Sequence, residues 1–278
     1  MLDDMVHAHA IPHPAEADMR HQPILARIAF AAFVIGAVIA LVACGGTRLH
    51  LWDLNFGLRL LVPGIAAGVF ALGCGGAWMW RALAMNNSVG WRLGGIGLVG
   101  SVILVGIPAN HLWLTYTLPP IHDISTDVGD APQFVTLLAW RQGAPNPASY
   151  DGPVVVTYGS EKMTTVMAQK NAWADIKPLE QLETVPQHEL VAKYFWRALN
   201  AVNGLGWQVA AFDPRKGRIE ATSATLWFGV VSDIVIRVRP AGKIGVRIDV
   251  RAKSRIGVSD AGRNAELIRA FLAREAAR

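Results

Sequence analysis

Charge is scarce in this chain. Asp, Glu, Lys and Arg make up 17% of its 278 residues, against about a quarter in an average soluble domain, while 52% are hydrophobic. That balance excludes a disordered chain, which needs low hydrophobicity and high net charge. Cysteine is scarcer still. The two residues, Cys44 and Cys74, both precede residue 113, so a disulfide scaffold is excluded and the C-terminal half must fold without disulfides. Missing as well are a G-x-S-x-G elbow, an HExxH zinc motif and a phosphate-cradling glycine loop, so the common signatures of hydrolases, metalloproteases and nucleotide enzymes are absent.

The shortage of charge is local. Residues 1–112 hold 6 Lys/Arg and 5 Asp/Glu, whereas residues 113–278 hold 20 and 16, which divides the chain into an apolar half and an ordinary globular half. Ile28 to Gly46, Leu60 to Trp80 and Leu93 to Trp113 contain no Asp, Glu, Lys or Arg, and each run can cross about 30 Å of hydrocarbon. Trp52, Trp78, Trp80, Trp91 and Trp113 lie at or just beyond the run ends, where an amphipathic ring prefers the headgroup layer. With no ionisable group deep inside a span, an ion or proton pathway is not expected. Small residues at four-residue steps, such as Gly36, Ala40 and Cys44, predict a closely packed three-helix anchor.

Arg20 and Arg27 precede the first span and Arg81 and Arg92 fill the second loop, against Arg48 and Arg59 in the first. This asymmetry places the N-terminus in the cytoplasm, and three spans then put the C-terminal domain across the membrane, in the periplasm if this is a bacterial inner-membrane protein. Leu41-Val42-Ala43-Cys44 has the pattern of a lipoprotein cleavage box, but the acidic tail before it is unlike a signal n-region, so span one is read as an uncleaved anchor. His7, His9, His13 and His21 sit among prolines and acids, and residues 1–23 are read as a disordered cytoplasmic tail without metal. The divisions are therefore a tail over 1–23, an anchor over 24–113, a proline-stiffened linker over 114–120 and a periplasmic domain over 121–278.

Within that domain, patterning predicts helices over Pro132–Gln142 and over Ser160–Asn171, the latter capped by Ser160, with a short strand Val154–Tyr158 before it. Thr184-Val185-Pro186-Gln187 carries helix-start signals, and Gly204 stops that helix. Four strands are expected at Gly206–Phe212, Arg218–Thr225, Asp233–Arg239 and Lys243–Arg255, followed by a helix starting at Ser259 or Asp260. The result is a membrane-anchored α+β chain whose two-layer domain carries a four-stranded antiparallel sheet packed by helices.

Several runs in this half carry a resemblance. They are His122-Asp123-Ile124-Ser125-Thr126-Asp127, Ala174-Asp175-Ile176-Lys177-Pro178-Leu179, Gly217-Arg218-Ile219-Glu220-Ala221-Thr222 through Leu226-Trp227-Phe228-Gly229, Asp233-Ile234-Val235-Ile236-Arg237-Val238-Arg239-Pro240, and Arg251-Ala252-Lys253-Ser254-Arg255-Ile256-Gly257-Val258-Ser259-Asp260. Over about residues 121–273 the chain resembles the bacterial domain of unknown function numbered 1499, which often stands behind N-terminal membrane spans. It departs from that pattern at Ala174, where proline is common, and at Ser232, where an acid is common. The family name implies no activity.

Three groups of residues could act. His122 with Asp123 or Asp127 offers an imidazole and carboxylates, the material of general acid and base work in an envelope hydrolase. Strand alternation puts Arg237, Arg239, Arg247, Arg251, Lys253 and Arg255 opposite the isoleucine and valine face. Residues 213–278 carry 14 Lys/Arg against 7 Asp/Glu, so this face is expected to recognise an anionic lipid, an envelope polymer or an acidic membrane-protein partner rather than nucleic acid. Trp227 and Phe228, in the turn between two strands, are expected to touch the bilayer or a partner. No cofactor is implied. A binding or assembly module is the leading reading and an envelope hydrolase the alternative.

Overall fold

A computed structural model describes residues 14–86 and 89–276, with side chains from Ile24 onward. The tail residues 1–13, with His7, His9 and His13, lie outside the described residues. The chain forms two compact units, one ending at Asn110 and the other starting at His111.

The first unit is built from α1 (Pro14–Arg48), α2 (Leu54–Ala84) and most of α3 (Trp91–Thr117). Three apolar stretches, Ile24–Arg48, Leu54–Ala84 and Trp91–Thr117, are long and apolar enough to cross a membrane. Small residues set the spacing between α1 and α2. A methyl group added to Gly36 would sit 2.7 Å from the Gly64 carbonyl oxygen, so the two backbones approach as closely as glycine allows. Trp78 turns inward among the helices of this unit. It is buried, its ring covers Gly94, and its indole Nε1 donates to the Val89 carbonyl at 3.2 Å.

In the second unit the main sheet has six strands, not the expected four. It comprises β1 (Asp123–Ser125), β4 (Leu179–Leu182), β5 (Gln208–Asp213), β6 (Arg218–Ala224), β7 (Val231–Ala241) and β8 (Gly245–Ser254). The order is β5-β6-β7-β8, and β4 and β1 share the outer edge of β8, pairing with its first and second halves. Every pairing is antiparallel. The additional strands have three and four residues, too short for an alternating pattern to register. A separate hairpin, β2 (Val155–Tyr158) with β3 (Glu161–Thr164), replaces the first half of the helix expected from Ser160. The helix itself, α5 (Thr165–Ala172), is capped by Thr164, whose hydroxyl accepts from the Met167 amide at 3.2 Å.

Ile219, Ile234, Ile236, Val238, Val246, Ile248 and Val250 form one sheet face. Against it pack Leu190, Phe195, Ala198 and Val202 of α6 (Gln187–Gly204) and Ala265, Ile268 and Phe271 of α7 (Arg263–Ala276). Asp260 starts α7 from outside, accepting from the Gly262 and Asn264 amides at 2.8 and 2.9 Å. The helix expected over Pro132–Gln142 shrinks to α4 (Leu137–Trp140) because the chain before it runs across the other sheet face. That face is therefore covered as well.

Candidate functional site

Alternation places the charged residues of β6, β7 and β8 opposite the aliphatic face, as expected, but the face is roofed by residues 126–153. Phe134 and Leu137 of the roof pack on Val235 of the sheet. Glu220, fully buried on β6, holds the roof down: its carboxylate accepts from the amides of Val135, Thr136 and Leu137 at 2.9–3.1 Å and lies 2.9 Å from Arg218. Asp233 pairs with the buried Arg141 of the roof at 2.6 Å and with Arg255 at 2.8 Å. Arg141 also donates to the carbonyls of Lys253 and Asn146.

Arg251 and Lys253 are completely buried, which corrects the expectation of an open basic face at these positions. The Arg251 guanidinium grips Asp123 through two bonds of 2.8 Å, donates to the carbonyls of Pro132, Ala148 and Ser149, and stacks on Phe134 and Tyr150. Lys253 reaches Asp151 at 2.7 Å, Asp123 at 3.3 Å and the Ser149 carbonyl at 2.7 Å. The reason is charge complementarity inside the chain. Asp127, Asp130 and Asp151 of the roof, with Asp123, Asp233 and Asp249 of the sheet itself, neutralise the basic residues.

Arg237, Arg239 and Arg247 lie nearer the surface and share carboxylates. All three approach Asp127 within 2.9–3.5 Å and Asp249 within 2.7–3.0 Å, and Asp130 and Glu180 complete the set at its exposed rim. Burial works against the Asp127 charge, but the amides of Asp130 and Gly129 with the Arg247 and Arg239 charges outweigh it and hold its carboxyl below the usual range. Arg239, 36% exposed, is the most open of the predicted basic residues. Asp123 and Asp127 thus face guanidinium groups.

His122 finds a different carboxylate. Its Nε2 lies 3.1 Å from Asp151 and its Nδ1 lies 3.1 Å from the Val258 carbonyl. Burial opposes the charged imidazole, yet the Asp151 bond, the Val258 carbonyl and the Asp151 charge prevail and raise its pKa; Asp151 is lowered by His122 and Lys253 against its own burial. The pair lines a cavity of about 160 Å³ with Pro120, Ile121, Val154, Val156, Thr165 and Val258. Asp260 is pushed up to about 6 by burial, against its two amide bonds and the His122 charge.

These shifts give a testable pH dependence. The raised His122 contributes stability that is fully present below its unfolded value near 6.5 and lost as pH rises through its folded value; the lowered Asp151 contributes above about 4 and loses it as pH falls further. Melting of the full chain should therefore show a His122-dependent decline on the alkaline side of about pH 6.5. His122→Asn should flatten that limb, and an unchanged profile in the variant would remove His122 from the linkage.

Sequence reasoning placed the basic residues on the right face but missed Asp151 and Asp233 as their partners, and missed the buried Arg141 of the roof. The one available signal was the opposite charge imbalance of residues 113–212, with 9 Asp/Glu against 6 Lys/Arg, and residues 213–278. Trp227 is half exposed and Phe228 partly buried in the loop joining β6 to β7. Among the described residues no group of His, Cys, Asp and Glu is arranged to hold a metal ion.

The family described as Protein of unknown function (DUF1499) matches residues 123–274, more than half of the chain. None of the curated proteins matches it.

Proposed function

We propose, from the premise that the chain belongs to the DUF1499 family, that it is a bacterial inner-membrane protein whose C-terminal domain works in the periplasm as a binding or assembly module for a membrane-protein partner. The observation that carries this reading is the construction of the roof. Leu137 and Arg141 point into the domain, while Val135, Leu138 and Trp140 are turned outward and are each close to half exposed. Glu220 and the Arg141–Asp233 pair fix the backbone beneath them. Exposed apolar side chains that include a tryptophan, carried on a pinned backbone, are the material of an interaction hot spot. Tethering by three apolar helices favours a partner that is itself in or on the membrane.

The other two readings draw less support. An anionic envelope component would meet the arginines at Arg239 and Arg247, where Asp127 and Asp249 already occupy the guanidinium groups. A hydrolase using His122 with Asp123 or Asp127 would need carboxylates that Arg251 and the arginine cluster hold.

Two experiments test the reading. A photo-crosslinking residue at Leu138 of the full chain in cells should capture a membrane-fraction protein, and Trp140→Ala should weaken that association roughly 30-fold, the equivalent of a 2 kcal/mol hot spot. Capture that survives Trp140→Ala unchanged would move the binding surface elsewhere. For topology, a reporter active only in the periplasm should be active when fused after Ala276 and silent at Asn86; the reverse pattern would overturn the periplasmic assignment.

A further inference from the structure

The linker, the β6–β7 loop and the loop before α7 meet at one end of the sheet. The Ser254 amide, at the end of β8, donates to the His122 carbonyl at 3.0 Å, and the Arg255 amide donates to the Val231 carbonyl at 3.0 Å. The Asp260 amide donates to the Ile121 carbonyl at 3.2 Å, and the Asn264 side chain donates to the His122 carbonyl at 2.7 Å. This is the end at which α3 enters. The Tyr158 hydroxyl of the β2–β3 hairpin donates to the carbonyl of Thr117, the last residue of α3, at 2.6 Å.

Large apolar side chains are exposed at the same end. Leu226 is 74% exposed and Trp227 47% exposed in the β6–β7 loop, and Val258 is 75% exposed in the loop before α7. Exposed Trp113 and Tyr116 occupy the last turns of α3, the position interfacial aromatics take in a membrane helix. From Thr117 to Ile121 the chain has four residues to span, at most about 14 Å when fully extended. Two of the intervening residues are prolines, Pro119 and Pro120.

We infer that this end of the domain sits on the bilayer in which α3 ends, with Leu226, Trp227 and Val258 inserted at the headgroup layer. The occupant follows from continuity: these apolar residues lie at the sheet end that a short linker joins to an apolar helix of 27 residues. Single exposed apolar residues are ordinary on soluble surfaces, but several at the sheet end linked to a membrane helix have a bilayer surface in which to be buried. The inference rests on α3 spanning the membrane and is independent of which side the domain occupies.

The test uses the full chain with Cys44 and Cys74 replaced by serine, reconstituted in phosphatidylcholine vesicles. An environment-sensitive fluorophore is attached to a single cysteine at Leu226→Cys, Val258→Cys or Lys243→Cys, the last in the exposed β7–β8 turn at the opposite end of the sheet. Doxyl groups on the lipids should quench the labels at 226 and 258 and leave 243 bright, while an aqueous quencher should show the reverse order. Equal lipid quenching at all three positions, or none at 226 and 258, would overturn the inference. Screening at 226 that persists without lipid and grows with protein concentration would also overturn it, pointing to a second copy as the occupant. Retention of the protein in carbonate-washed vesicles reads the spans separately, so failure of the membrane reading is distinguishable from failure of the contact.

Discussion

Arg251→Ala is expected to destabilise the domain by about 3–5 kcal/mol, enough to unfold many natural domains. The truncation leaves the buried Asp123 with Lys253 as its one remaining cation and the Asp151 amide as a donor, and it strips the carbonyls of Pro132, Ala148 and Ser149 of a shared donor. Phe134 and Tyr150 lose the cation stacked between them and the sheet. The cost is mainly that of an uncompensated buried charge, so Asp123→Leu combined with Arg251→Met should recover part of it, because removing both members of a buried pair is often neutral. Arg239→Glu is the contrast. At 36% exposed, with Asp127, Asp130 and Asp249 as neighbours, it should loosen the surface cluster but leave melting much nearer to wild type. Thermal melting of the detergent-solubilised full chain checks all of these variants. An Arg251→Ala protein that melts like wild type would mean that the roof is open in solution.

The same residue shows how far the sequence could be read. Alternation along Asp233–Arg239 and Lys243–Arg255 was enough to assign the aliphatic and charged sides of β7 and β8, because the period of a strand is a local property. What lies over the charged side is not local. Residues 126–153 have three prolines in their second half and one helical turn, and the helical pattern over Pro132–Gln142 does not announce that they cross a sheet. Asp123 and Asp127 were noticed as reactive material, and both prove to be counter-charges for arginines more than 100 residues away. The strand β1 escaped for a related reason: with three residues it is specified by pairing to Lys253, Ala252 and Arg251 and hardly at all by its own composition. The apolar helices lie at the other extreme. Their runs are defined by composition alone, so their extents were legible, whereas the inward turn of Trp78 depends on Gly94 leaving space for an indole.

Glu220→Ala should have an effect of similar size by a different route. The carboxylate serves three backbone amides, Val135, Thr136 and Leu137, and alanine leaves all three donors beneath the roof without an acceptor. An unsatisfied buried donor costs about 1–3 kcal/mol, so the loss should reach about 3 kcal/mol even if one amide finds water. Because the hydrophobic cluster of Phe134 and Leu137 extends only to Val235, Ala148 and Ala210, the roof should release before the aliphatic face does. Hydrogen exchange would then show early loss of protection at 135–141, with β7 and α6 still protected. Glu220→Gln, which keeps an acceptor oxygen, should retain part of the protection. The functional readouts should separate in the same variant: crosslinking from Leu138 should fail as the platform loosens, whereas lipid quenching at 226 and 258 should persist, because that end of the sheet is held by Ser254, Asn264 and the linker. Simultaneous loss of protection across α4, β7 and α6 would instead make the roof an inseparable part of one cooperative core, and the Leu138–Trp140 strip could then no longer be tested apart from folding.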